Sequence, residues 1–172
     1  MKLDSDDFEL FGLERRQAQS RESLDARWRA LQAQVHPDKF ASEGSAAQRL
    51  AVQWAVRVNE AYQRLKDPLR RAAYLCELQG APIGAEDNTA MPPGFLAQQR
   101  EWREALEEAH TVDAVRALAR EVEARQAVGL RKIESLLDDA RDPSAAAAEV
   151  RALMFVERFA QDVGRRLAAL GQ

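Results

Sequence analysis

His36-Pro37-Asp38-Lys39 stands between two stretches of helical periodicity, and its reading decides how the first half of the chain folds. Proline has no amide N–H and disfavours αR backbone at the residue before it, so the helix approaching this run has to end at Gln34 or Val35. Upstream, Leu24, Trp28, Leu31 and Val35 recur at steps of four, three and four, which makes one apolar helical stripe with Ser20 placed to cap it. Downstream, Leu50, Trp54, Val58, Ala61 and Leu65 repeat the spacing. The two stripes predict an antiparallel helical hairpin with the tetrapeptide at its tip. Each large apolar side chain buried between them contributes roughly 1.5–3 kcal/mol. His36, Asp38 and Lys39 are then expected to face water on a loop held by a rigid scaffold, where docking residues are commonly found.

An imidazole beside a carboxylate also fits a general base and its orienting partner. No Ser, Cys or Thr nucleophile stands in a recognisable relation to the pair, so no catalytic residue is assigned and the chain is not expected to be an enzyme. The bland alternative is a turn in which Asp38 caps local amides. His110 lies where one helical pattern ends at Ala109 and Thr111 can begin the next, which suits a helix C-terminal residue.

Composition points to amphipathic helices. Charged residues make up 31% of 172, and the six prolines fall almost all at apparent helix boundaries. Proline and glycine cluster between Gly80 and Gly94, which predicts a linker over 80–93 between domains at 1–79 and 94–172. Net charge is −3, with 13 basic and 12 acidic residues before Gly80 and 12 basic and 16 acidic after it. That balance argues against a nucleic-acid surface, which needs concentrated Lys and Arg. No apolar run approaches the roughly 18 residues of a membrane span, and Met1-Lys2-Leu3-Asp4-Ser5-Asp6-Asp7 does not read as a signal peptide. A cytoplasmic location without membrane partners is expected. The single cysteine, Cys76, excludes an internal disulfide and a four-thiolate metal site within one chain, so no metal or other cofactor is expected and Cys76 should pack as a small hydrophobe.

The second half predicts three helices in antiparallel array. Phe95, Trp102 and Leu106 mark the first, about Gly94 to Ala109. Val115, Leu118, Val122, Ile133 and Leu137 mark the second, beginning near Thr111. Asp142-Pro143 stops the chain before a third, where Leu153, Val156, Ala160, Val163, Leu167 and Leu170 step by three and four. Gly129 costs about 1 kcal/mol relative to alanine in a helix and would permit a close helix crossing. Two apolar residues fall off these stripes: Phe155 and Leu96 each point about 100° away from their neighbours' mean direction and should be partly exposed. Glu101, Glu104 and Glu108 share one face beside Ala97. An apolar spot bordered by three carboxylates suits a basic partner protein, although acidic helix faces are usually just solvated.

Residues 6–78 resemble the J domain of DnaJ-type co-chaperones. Phe8-Glu9-Leu10-Phe11-Gly12-Leu13 is similar to its short first helix, the hairpin follows, and Asn59-Glu60-Ala61-Tyr62 with Leu65-Lys66-Asp67-Pro68 is similar to the end of its third. Arg70-Arg71-Ala72-Ala73-Tyr74 is similar to the signature of its fourth. The resemblance implies docking on the ATPase domain of a heat-shock chaperone, with acceleration of ATP hydrolysis there, through His36, Pro37, Asp38 and Lys39 and the basic positions Arg27 and Arg29. Trp28 matches an aromatic position of the second helix, where core packing is its expected job. The basic face is thin, because Glu22 and Asp25 interrupt Arg21, Arg27 and Arg29. Weak docking with a salt-sensitive association rate is therefore expected.

A J domain, a short linker and a three-helix domain in this length, with His36-Pro37-Asp38-Lys39-Phe40-Ala41-Ser42 at the loop, resemble the HscB family of iron–sulfur cluster assembly co-chaperones. That resemblance implies an all-α protein whose C-terminal domain binds the cluster scaffold IscU and whose J domain brings the complex to the chaperone ATPase HscA. It carries scaffold binding onto Leu96, Ala97, Arg100, Glu101, Glu104, Glu108 and Phe155. Ala97 and Arg100 depart from the family, which often has larger apolar residues there, so a smaller apolar footprint is expected. The alternative is a general J-domain co-chaperone with a different client.

Overall fold

The computed structural model describes residues 2–84 and 89–171, all helix and loop, so the expected linker lies partly outside the described residues at 85–88. Seven α-helices are found among the described residues: α1 Asp7–Phe11, α2 Arg21–Val35, α3 Ser45–Lys66, α4 Pro68–Leu78, α5 Phe95–Glu108, α6 Val112–Glu134 and α7 Pro143–Leu170. They divide into two compact units, Met1–Tyr74 and Leu75–Gln172.

In the first unit the hairpin forms as the proline requires. α2 begins at its Ser20 cap, whose side chain accepts the Ser23 amide at 3.2 Å, and stops at Val35. Pro37–Phe40 then makes one 3-10 turn before α3. Trp28 stacks on Tyr62 with centroids 4.6 Å apart and donates its indole N–H to Asn59 at 3.0 Å. The expected stripe of α3 needs one correction. Leu50 is 49% exposed and Ala51 is buried in its place. Eight residues back from Val58 is about 80° off its direction, whereas seven is only about 20° off, so steps of four drift out of the interface.

Asp7 is a fully buried carboxylate, a role that no pattern foretold. Arg57 reaches it at 2.8 Å and Arg64 at 2.6 Å, and its own amide donates to the Tyr74 hydroxyl at 3.0 Å. The carboxylate thereby ties α1 to α3, and the amide of the same residue ties α1 to the middle of α4. Two cations, of which Arg64 donates two hydrogen bonds to the carboxylate, offset the desolvation that an isolated buried charge would suffer. Arg71 is buried as well, donating to the Gln17 carbonyl at 2.9 Å and the Leu65 carbonyl at 2.6 Å. The signature Arg70-Arg71-Ala72-Ala73-Tyr74 thus contains two residues that hold the fold.

In the second unit α5, α6 and α7 run up, down and up. Phe95 meets Phe155 and Trp102 stacks on Phe159, pairs that advance in the same sense along α5 and α7. Thr111 and Asp142 cap α6 and α7, each accepting an amide at 3.1 Å. The α6–α7 crossing is close at Gly129, where an added Cβ would lie 2.6 Å from a Leu153 methyl. Glycine is needed there for space, not for backbone freedom. The α-helical run expected to carry Leu137 ends sooner, at Glu134, and Ser135–Asp139 makes a π turn that keeps Leu137 buried. Glu149 is buried between Arg125 at 2.7 Å and Lys132 at 3.7 Å. Arg151, also buried, donates to the carbonyls of Ile83 and Ala90, each at 3.0 Å, and so ties these two residues to α7. Cys76 packs as a small hydrophobe with no exposed surface, and burial pushes its thiol up to about 11.

Candidate functional site

Two separate sets of residues carry the functional expectations. The first is local. His36 closes α2 with extended backbone and caps the 3-10 turn, its Nδ1 accepting the Asp38 amide at 3.2 Å. An accepting Nδ1 makes Nε2 the N–H of the neutral ring, directed away from the cap. The Asp38 carboxylate stands 3.6 Å from Nδ1 and is 92% exposed, so it caps nothing and faces water. The capping turn weighed as the bland alternative does exist, but with the imidazole as cap instead of the carboxylate. Lys39 is exposed and Pro37 half-buried. The bend therefore presents one N–H donor, one carboxylate and one ammonium group on a turn of fixed geometry.

The basic positions of α2 differ in freedom. Arg21 is held by Asp25 at 2.9 Å, and Asp25 accepts the Tyr62 hydroxyl at 2.7 Å. That hydroxyl, with Arg21 behind it, holds the Asp25 carboxyl below its ordinary value. Arg27 is exposed, but its guanidinium passes over Gly12, where a Cβ would come within 3.0 Å of it. Gly12 ends α1 with φ 65°, a left-handed conformation that also favours glycine. Arg29 is exposed and makes no salt bridge among the described residues. Like Arg27 it is not tied to a carboxylate as Arg21 is.

The second set is assembled from distant parts of the chain. Leu96 is 67% exposed on the first turn of α5, and Phe155 of α7 is half-buried, its ring against Phe95 at 6.1 Å. Leu96, Ala97 and Phe155 line one open hollow of about 670 Å³, floored by Met91 and Pro92. Glu101, Glu104 and Glu108 are exposed, and Arg100 is exposed one turn beyond Leu96. With Ala97 they follow steps of four, three and four, which aligns the carboxylates along one edge of the helix. Leu96, Ala97 and Phe155 meet at the hollow, and the three carboxylates follow along α5 outside its lining.

Sequence periodicity missed the neighbouring groove. Between α5 and α7, Trp102, Phe155 and Phe159 line a cleft of about 430 Å³ edged by Arg103, Arg158 and Arg165. Trp102 belongs to the expected apolar side of α5 and is 8% exposed, whereas Phe159 is on no expected stripe. Phe159 lies three residues from Val156 and four from Val163, a spacing that could have found it. No group of three or more His, Cys, Asp or Glu able to hold a metal ion occurs among the described residues. No helix among them is long and apolar enough to cross a membrane.

Residues 91–164 match the family model described as the HSCB C-terminal oligomerisation domain. The chain is 50% identical over 173 residues to the co-chaperone protein HscB homolog of Burkholderia mallei, covering 99% of this chain and 98% of that one. It is similar to the chaperone HscB from Vibrio cholerae, with TM-score 0.80 and 36% identity over 96% of this chain and 99% of that one. It is also similar to the crystal structure of human co-chaperone protein HscB, with TM-score 0.88 and 25% identity over 96% of this chain and 84% of that one. Full-length identity of this order, an all-helical fold and the match over the second unit place the chain in the HscB co-chaperone family.

Proposed function

We propose that this chain is an adaptor that binds the iron–sulfur scaffold protein IscU through α5 and α7 and brings it to the chaperone ATPase HscA, whose ATP hydrolysis it stimulates through the His36-Pro37-Asp38 bend. The observation that carries this reading is the contrast between the two exposed sets: a polar bend in one unit, and in the other an apolar hollow on a helix that also carries three exposed carboxylates. Leu96 is a large apolar residue left in water at a helix start, and Phe155 lies beside it in the same hollow. Such a pair suits the centre of a protein interface, with Glu101, Glu104 and Glu108 as its polar rim. Lys39, Arg29 and Arg27 supply a small positive field near the bend that steers an acidic chaperone surface. Holding both partners on one chain raises the scaffold's effective concentration at the chaperone, so two weak contacts give one productive encounter. Hydrolysis belongs to the chaperone, and this chain acts on its rate.

The test is the steady-state ATPase rate of the cognate chaperone with scaffold, with and without this chain. Stimulation that requires both scaffold and chain is the expected result. Equal stimulation without scaffold, together with no scaffold binding in calorimetry, would favour a general J-domain co-chaperone with another client.

A further inference from the structure

The groove between α5 and α7 has a composition unlike the acidic edge on the other side of α5. Its floor is aromatic, with Trp102 stacked on Phe159 at 5.5 Å and Phe155 at one end. Its rim is basic. Arg158 lies over the Phe155 ring at 4.4 Å, and neither Arg158 nor Arg103 makes a salt bridge among the described residues. Arg165 is paired with Asp162, so the rim keeps an excess of positive charge. The groove shares Phe95, Gln99 and Phe155 with the hollow at Leu96 and Ala97, so the two form one continuous tract along α5.

We propose that this groove takes an apolar side chain flanked by a carboxylate, contributed by the same scaffold protein that sits on Leu96 and Phe155. The inference rests on the scaffold-binding reading and adds to it a second subsite of opposite charge. Aromatic rings together with arginine are the groups that most often dominate interface energetics. Planar guanidinium groups that are not already paired with an acid recognise carboxylates in fork geometry. Continuity with the hollow favours an extended protein surface over a small molecule. The partner's footprint is then polarised: basic where it meets Glu101, Glu104 and Glu108, and apolar with an acidic flank where it meets Arg103 and Arg158. Arg100, exposed on α5, stands between the two and adds to the basic side.

The experiment measures association and dissociation of cognate scaffold protein with the full chain by biolayer interferometry. The comparison set is the unsubstituted chain, Leu96→Ala, Arg103→Glu with Arg158→Glu, and Asp162→Asn, with circular dichroism to confirm folding. The double reversal is expected to lower the association rate roughly tenfold at low salt, because rim charges act mainly on encounter. That effect should vanish as ionic strength rises from about 0.01 M to about 1 M, where the Debye length falls from roughly 30 Å to 3 Å. Asp162→Asn releases Arg165 and is expected to raise the association rate, a gain that a merely structural groove would not give. An unchanged rate in both charge variants, with binding weakened by Leu96→Ala, overturns the groove proposal alone. No binding by the unsubstituted chain overturns it together with the adaptor reading.

Discussion

The two candidate sites are built in opposite ways. The bend takes four consecutive residues, and local backbone chemistry fixes it: a proline that stops α2, an imidazole that caps the next turn, and a carboxylate with nothing left to bind. The α5–α7 surface joins Leu96 to Phe155, nearly sixty positions apart, and depends on how the helices of the second unit pack. A local site should survive changes in packing and fail at single polar atoms. An assembled site should respond to packing and lose affinity in steps.

Asp38→Asn gives the sharpest break. It keeps the shape of the bend and removes its free charge, so chaperone stimulation should be lost entirely while scaffold affinity and thermal stability stay as they are. Retained stimulation would contradict the docking role. Asp7→Ala should have the largest effect on stability. It leaves Arg57 and Arg64 facing each other in the first unit without the buried charge that holds them, at a cost of about 3–5 kcal/mol. Chemical denaturation followed by Trp28 and Trp54 fluorescence would show it.

Gly129→Ala tests the assembled site through its scaffold. The new methyl would have to push Leu153 aside at a cost of about 1–3 kcal/mol, offset by the roughly 1 kcal/mol that alanine gains over glycine in a helix, so the second unit should lose up to about 2 kcal/mol. Scaffold affinity should fall while scaffold-independent contact through the bend persists. An unaltered denaturation midpoint would show that Leu153 can move freely. Smaller again is the effect of Leu96→Ala, expected to weaken scaffold binding by about 1–2 kcal/mol in calorimetry without changing stability, because the side chain is exposed in the free protein.

Cys76 gives a pH-dependent readout of the second unit. Its thiol is raised in the folded state from 9.0 to about 11, so folding favours the protonated form. The resulting contribution to stability is present below the unfolded value of 9.0 and is lost as pH rises towards about 11. A thiol reagent at pH 8 should react with Cys76 only on unfolding. Rapid labelling of the native chain would show that this core opens.

Much of the fold was legible because helices are local objects. The cap at Ser20, the helix start near Thr111 and the breaks at Pro37 and Asp142-Pro143 rest on interactions within a turn or two, and each stands where the pattern placed it; that Thr111 and Asp142 act as caps is a finding of the structure. The exposure of Leu96 followed from angular offset alone. The replacement of Leu50 by Ala51 in the hairpin was not legible from steps of four, since small angular drift decides which of two adjacent residues faces a partner helix. Likewise Phe159 could be assigned to a stripe by spacing, but only the packing of α5 against α7 makes it the floor of a groove.

The sequence by itself determined where most helices begin, the break at the polar bend and the family to which its motifs point, because capping, proline sterics and apolar periodicity act over a few residues. Only the tertiary structure decided that Asp7 is clamped by Arg57 and Arg64, that Arg71 and Tyr74 serve the fold, that Gly129 is needed for space, and that a basic aromatic groove lies beside the acidic edge of α5. Those facts depend on which charges and surfaces meet across long separations in the chain. Burial then sets their energy by removing the water that would otherwise have screened them.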